Sequence, residues 1–421
     1  MSAPQPDGWA EIALADVASS FYGGGTPSSA RDDFWGGGTP WVTTSHILGT
    51  CLRSAERTIS DIGLGSSSSA LVPAGNLLIG TRVGVGKSCV NEIDTAISQD
   101  ITAAIVRRER FDPYFLAYAL RRDAVQSRFN DLKRGATIRG VPRNDLLGIR
   151  LPVPTSLREQ ERIAEKLGAL EQLRAASSTR TSLLTKVRSA LMAKLFREGL
   201  RGERLRETEI GPLPASWRVA RLGQVARVGN GSTPRKAEPG YWDGGKIPWI
   251  TSGGVHEGVI TRAESFVTER ARAECHLPLV PARSLVVAIT GQGKTLGNAA
   301  ILGIEACVNQ HLAYATILPG AGSPEFFLYY FQGQYKQLRA AGASGGSTKG
   351  AITCGFLSQY PVPVPAEAEQ AAIVSALAPL DSLLRTAKLR ANALERLFSA
   401  LLTRLMTGEL RLPAEAGEAD G

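Results

Sequence analysis

Two long stretches of the chain carry apolar residues at alternating steps of three and four. Ile163, Leu167, Leu170, Leu184, Leu191 and Leu195 recur, each 210 positions later, as Ile373, Leu377, Leu380, Leu394, Leu401 and Leu405. That spacing keeps them on one side of a helix, as in a heptad seam, and Ala387, Ala391 and Phe398 fill the second stripe between the leucines. Each stripe predicts a helix spanning roughly 50 Å at about 1.5 Å per residue, with an apolar face that needs a partner. Burial of each helix in a separate domain core would cover these faces, but the expected arrangement is antiparallel packing of the two helices on each other, with a globular domain at each end. Polar residues occupy the middle of the first seam at Arg174, Ser177, Thr181 and Arg188. Pro379 falls inside the second, where its missing N–H and its ring predict a kink or a restart.

Elsewhere the pattern changes to short apolar runs between glycine-rich turns, such as Asn76-Leu77-Leu78-Ile79-Gly80 and Ser284-Leu285-Val286-Val287-Ala288-Ile289. These read as strands, with helices expected from Pro113 to Phe129 and from Pro324 to Arg339. A mixed α/β domain is the expectation, and it is written twice. Gly23-Gly24-Gly25-Thr26-Pro27 and Pro40-Trp41-Val42 return as Gly229-Asn230-Gly231-Ser232-Thr233-Pro234 and Pro248-Trp249-Ile250. Gly86-Lys87-Ser88 returns as Gly293-Lys294-Thr295, and the segment from Gly135 to Gly140 as that from Gly345 to Gly350. A unit of this length is a globular domain rather than a solenoid repeat. The expected organisation is a domain over residues 1–155, a helix over 156–205, a second domain over 206–365, a second helix over 366–411, and an acidic, disordered tail over 412–421.

The composition, 43% hydrophobic and 21% charged, is that of a globular chain with material for two cores. A net charge of +9 points to a polyanionic partner, and 37 of the 48 basic residues are arginine, which suits bidentate phosphate and guanine contacts. Cys51, Cys89, Cys275, Cys307 and Cys354 are scattered, without a CxxC pair, and imply neither a disulfide framework nor a zinc site; a reducing cytoplasm is the expected compartment. There is no signal-peptide pattern and no apolar run of 18 residues. Catalytic motifs fail when counted out. A phosphate loop would need glycine five residues before the Gly-Lys pair, where Thr81 and Ala288 stand. Asp112-Pro113-Tyr114-Phe115 lacks the second proline of an adenine methyltransferase motif. His46, His256, His276 and His311 share no metal-ligand spacing. The chain reads as non-catalytic, with no cofactor or metal of its own, and Trp35, Trp41, Trp242 and Trp249 read as core or turn packing.

The ordered series of Thr-Pro, Pro-Trp-[Val/Ile], an apolar strand with Gly-Lys-[Ser/Thr], then Gln99 or Gln310, occurs twice. Each time it ends in a proline-rich stop before Glu159-Gln160 or Glu369-Gln370 and a heptad helix. In this the chain resembles the specificity subunits of type I restriction-modification systems over nearly its whole length. The Asn-Gln pair of that family is intact at Asn309-Gln310 but is Ser98-Gln99 in the first copy. The resemblance implies two target recognition domains, each reading one half of a split, asymmetric DNA sequence, and an antiparallel helical spacer that sets the gap. It implies assembly with two modification subunits, which carry S-adenosylmethionine and methylate adenine, and with restriction subunits that use ATP and Mg. A specificity subunit of a methyltransferase-only system, or a scaffold that reads no DNA, are the alternatives.

Base and phosphate contacts call for polar and basic groups on loops. The candidates are Thr43, Thr44, Ser45 and His46, with Thr251, Ser252 and His256 in the second copy. To these are added Arg82, Lys87, Arg134, Thr137, Arg139 and Arg143, matched by Lys294, Thr295, Ser347, Thr348 and Lys349.

Overall fold

The structure, a computed structural model, describes residues 6–135, 139–291, 294–343 and 351–413. It divides into two units, Met1–Thr179 with Lys388–Gly421, and Arg180–Ala387, so that each long helix contributes to both.

The first unit is built on a five-stranded sheet in the order Ala18–Gly23, Ile101–Val106, Asn76–Gly80, Ser88–Asn91, Cys51–Leu52. All pairings are antiparallel except the last, which is parallel. The central strand sends Leu77 and Ile79 into one core with the helix Pro113–Leu120, and Leu78 into another with Val42, Val72 and Ile97. Burial on both faces is why it reads as an unbroken apolar run rather than an alternation. A smaller sheet in the order Arg57–Ile59, Trp35–Val42, Thr95–Ile97, Ala70–Val72 completes the domain.

The second unit repeats this frame. Its five strands run Ala226–Asn230, Leu312–Ile317, Leu285–Ala288, Ala299–Leu302, Val259–Ile260, in the corresponding order and with the corresponding parallel pair. The mixed α/β class and the duplication expected from the sequence are therefore observed. The two shorter helices differ from expectation: each is a pair. Pro113–Leu120 is followed by Asp123–Leu132, because Arg122 takes an extended conformation (φ −63°, ψ 143°) and Gln126 Nε2 donates to the freed Leu120 carbonyl at 2.7 Å. Pro324–Gly333 is likewise followed by Tyr335–Ala343 across a break at Gln334.

The long helices run Leu157–Glu198 and Glu367–Leu405. In the first unit Ile163, Leu167 and Leu170 share a core with Phe398 and Leu405, and Leu394 and Leu401 pack at its edge. In the second, Leu195, Ile373 and Leu377 share a core, with Leu191 beside it, while Leu184 and Leu380 are half-buried. Ion pairs fix the direction. Glu159 meets Arg411 and Arg174 meets Glu395 in the first unit; Arg188 meets Asp381 and Arg201 meets Glu369 in the second. One number falls as the other rises, so the helices are antiparallel within each unit. The second helix passes through Pro379 without restarting; the ring and the turn before it, at Ser375, face solvent, where water can satisfy the carbonyl that loses its donor.

The Glu-Gln dipeptides now have a physical role. Gln160, 1% exposed, donates from Nε2 to the carbonyls of Arg110 (3.0 Å) and Pro154 (2.9 Å) and accepts at Oε1 from the Asp112 amide (2.9 Å). Gln370, also 1% exposed, donates to Ala321 and Pro365 and accepts from the Ser323 amide at 3.0 Å. Each glutamine bolts the first turn of a long helix to the loop entering a core helix.

Candidate nucleic-acid interface

In each unit the loop ending in Thr-Pro lies against the end of a strand of a smaller sheet, Thr95–Ile97 in the first and, in the second, Cys307–Val308 of the sheet Ser265–Val267, Ile247–Ile250, Cys307–Val308. A Cβ on Gly24 would stand 1.9 Å from the Ile97 carbonyl oxygen, and one on Gly231 1.6 Å from that of Val308, so only glycine permits the approach. The indole of Trp41 donates to the Gly25 carbonyl at 3.3 Å and that of Trp249 to the Ser232 carbonyl at 3.1 Å. Trp35 and Trp242 stand nearly perpendicular to these rings, 5.1 and 5.2 Å away, and donate to Ser28 and Arg235 carbonyls. The four tryptophans hold the loop in place by packing and hydrogen bonding.

The residues after Pro-Trp form a 3₁₀ turn in each copy. Thr43 Oγ1 accepts from the Ser45 amide at 3.3 Å, and His46 Nδ1 accepts from the Thr43 amide at 3.1 Å. Thr44 is 2% exposed, and its carbonyl accepts from Lys87 Nζ at 3.1 Å, so Lys87, itself exposed, ties the turn to the Gly80–Lys87 loop. In the second copy the turn at Ser252–Glu257 follows Thr251, and His256 Nε2 lies 3.3 Å from Thr295 Oγ1. Lys294 is exposed, and its carbonyl accepts from Tyr335 Oη at 3.0 Å.

The basic candidates of the first copy gather more tightly. Arg82 and Arg139 line an open recess of about 570 Å³ with Asn130 and Lys133, neither of which the sequence singled out; Lys133 sits directly before Arg134 and its Nζ donates to Asn130 Oδ1 at 2.5 Å. Arg134 pairs with Asp145 at 3.0 Å. Arg143 opens a short helix whose guanidinium reaches the edge of Gly23. Three cations around one open recess suit a phosphate chain. Thr137, Ser347, Thr348 and Lys349 lie outside the described residues. Among the described residues no group of three or more His, Cys, Asp or Glu side chains is placed to hold a metal, and no helix is long and apolar enough to cross a membrane.

The corresponding turns carry different side chains on the same backbone. Asp100 donates its amide to Ser98 Oγ (3.3 Å) and accepts at its carbonyl from the Thr81 amide (2.8 Å). His311 does the same with Asn309 Oδ1 (3.0 Å) and the Ile289 amide (3.0 Å).

A family model for the type I restriction modification DNA specificity domain matches residues 6–185 and again residues 214–396. The MjaIX specificity subunit of a type I restriction enzyme from Methanocaldococcus jannaschii is 32% identical over 196 residues, 46% of this chain and 44% of that protein; this match thus spans less than half of the relative's length. The MjaVIII specificity subunit from the same organism is 21% identical over 428 residues, 97% of this chain and 94% of that one. The crystal structure of a type I restriction-modification S subunit from M. genitalium superposes with a TM-score of 0.63 at 16% identity, covering 94% of this chain and 96% of that one, a likeness of fold.

Proposed function

For a chain that belongs to the type I restriction-modification DNA specificity family, we propose that each of the two units reads one half of a bipartite, asymmetric DNA target. The long helices set the gap between the halves and dock two modification subunits. The observation that carries this reading is the pair of matched turns: one backbone frame built twice, presenting Arg82 and Asp100 in one copy and Thr290 and His311 in the other. Equal frames place the two readers alike, and unequal side chains give them different sequences to read. The net charge of +9 and the basic recess at Arg82, Lys133 and Arg139 supply backbone attraction that carries no sequence information. Methylation, with S-adenosylmethionine, belongs to the modification subunits, and ATP-dependent cleavage to restriction subunits where these are present; this chain contributes specificity and no catalytic group.

The test is to purify the chain with its modification subunits and sequence the methylated positions of a DNA library. A split motif with two unlike halves is expected, with binding that weakens steeply as salt rises. Methyl transfer by the chain alone, or DNA binding indifferent to its presence, overturns the reading.

A further inference from the structure

One side chain is the same in the two turns: Gln99 in the first copy and Gln310 in the second, both exposed, each following a buried polar residue that locks the turn. Gln310 is braced at both ends of its carboxamide. Oε1 accepts from the Thr233 hydroxyl of the loop ending in Thr-Pro, and Nε2 lies 3.3 Å from His311 Nε2. His311 is in turn held at Nδ1 by the Thr290 hydroxyl. A carboxamide has two lone pairs and two N–H bonds. One of each is used by the brace, which leaves one acceptor and one donor on an exposed carboxamide held at both its oxygen and its nitrogen.

We propose that Gln310 reads an adenine in its half-site through the major groove, and that Gln99, at the matching exposed position of the other turn though without that side-chain brace among the described residues, does so in the other half-site. The argument rests on the base-reading role proposed above. An adjacent donor and acceptor on one planar group match the N7 acceptor and N6 amino donor of adenine, which no other base presents in that order. Placement on a hydrogen-bonded turn at the end of a core strand gives the fixed geometry that base discrimination needs. The neighbours differ between the copies, Asp100 with Arg82 against His311 with Thr290, so the shelf reads one base in common and its surroundings read the bases that differ.

The experiment replaces Gln310 by Ala in the complex with modification subunits and maps the methylated motif. Gln310 is exposed, so the variant folds; unchanged thermal unfolding checks this. At one position of the second half-site the preference for adenine relaxes by about tenfold to a hundredfold, the loss expected for one bidentate contact, and the first half-site is unaltered. Gln99→Ala relaxes the first half-site alone. Thr233→Val, which loosens the brace and leaves the carboxamide, gives a smaller relaxation at the same position as Gln310→Ala. An unchanged motif, relaxation at a base other than adenine, or uniform weakening with a salt slope reduced by about one, as for a phosphate contact, overturns the proposal while leaving bipartite reading intact. A wild-type complex that methylates no bipartite motif overturns the reading beneath it.

Discussion

Single residues carry more of the architecture than their exposure in the sequence would imply. Gln160 and Gln370 are legible there as punctuation before each heptad helix, but their bonds to Arg110, Pro154, Ala321 and Pro365 depend on tertiary approach, which no spacing encodes. Replacing Gln160 by Ala removes the partner of two carbonyls and the Asp112 amide; the Pro154 bond is buried and the other two are partly buried, and each group left unsatisfied away from water costs about 1–3 kcal/mol. Denaturant titration of Gln160→Ala should show a lowered midpoint, and Gln370→Ala the same for the second unit. The cysteines are governed by burial. Cys89 and Cys307 are fully buried, and desolvation pushes their thiols up to about 12 and about 11. In native protein at pH 8 both should resist iodoacetamide, read by mass spectrometry, because the thiolate is the reactive form; modification of either without unfolding would contradict the buried placement.

At the scale of the helices, the polar seam positions appear in the sequence as weaknesses, and Arg174 and Arg188 show how such positions are used. Arg174 lies over the Phe398 ring at 4.1 Å and pairs with Glu395. Arg188 pairs with Asp381, donates to Gln332 Oε1 at 2.6 Å, and lies 5.5 Å from the Tyr329 ring centre, while Tyr329 Oη donates to Asp381 at 2.6 Å. Removing one member strands the other: Arg188→Leu and Asp381→Leu should each destabilise by about 1–3 kcal/mol, whereas the double variant should lose less than the two together. A double-mutant cycle by thermal unfolding checks this, and strict additivity would refute the coupling. Glu171, 210 positions before Asp381, plays the same part in the first unit, accepting from Tyr118 Oη at 3.0 Å and Arg121 Nη1 at 2.7 Å. Burial pushes its carboxyl up, but hydrogen bonds from Thr50, Arg121 and Tyr118 and the Arg121 charge outweigh that and hold it below the ordinary 4.5. A depressed carboxylate contributes stability that is full above its unfolded value and lost as pH falls through the folded one. Glu171→Gln should therefore be less stable than wild type at pH 7, and the gap should close below about pH 4, near the carboxylate range. A gap that stays constant with pH would mean the charge contributes nothing.

For the molecule as a whole, the duplication was the most legible feature, because a repeat is read by comparing the chain with itself and needs no knowledge of tertiary contacts. Side-chain braces such as Thr233–Gln310–His311–Thr290 were not legible, since they join residues from three separate segments. The repeat also makes a prediction about assembly. In the first unit the core around Leu167 and Tyr118 is closed by Leu394, Phe398, Leu401 and Leu405 of the second long helix. In a chain truncated near Arg206 those residues are missing, but their equivalents 210 positions earlier, Leu184, Arg188, Leu191 and Leu195, are present on the first long helix. A second copy can supply them. Arg188 of that copy would take the place of Phe398, opposite Glu171, and could form the counterpart of the Arg188–Asp381 pair; Arg174 would lose Glu395, whose equivalent is Thr185, and the homotypic seam should be weaker by that contact. Two-fold pairing of identical chains makes the two recognition domains identical and inverted. With modification subunits present, such a dimer should methylate a palindrome made of the first half-site and its inverted repeat. Light scattering gives the mass and methylation mapping the motif. A folded truncation that stays monomeric and directs no palindromic methylation, even at high concentration with its partners, would show that the two long helices are not interchangeable.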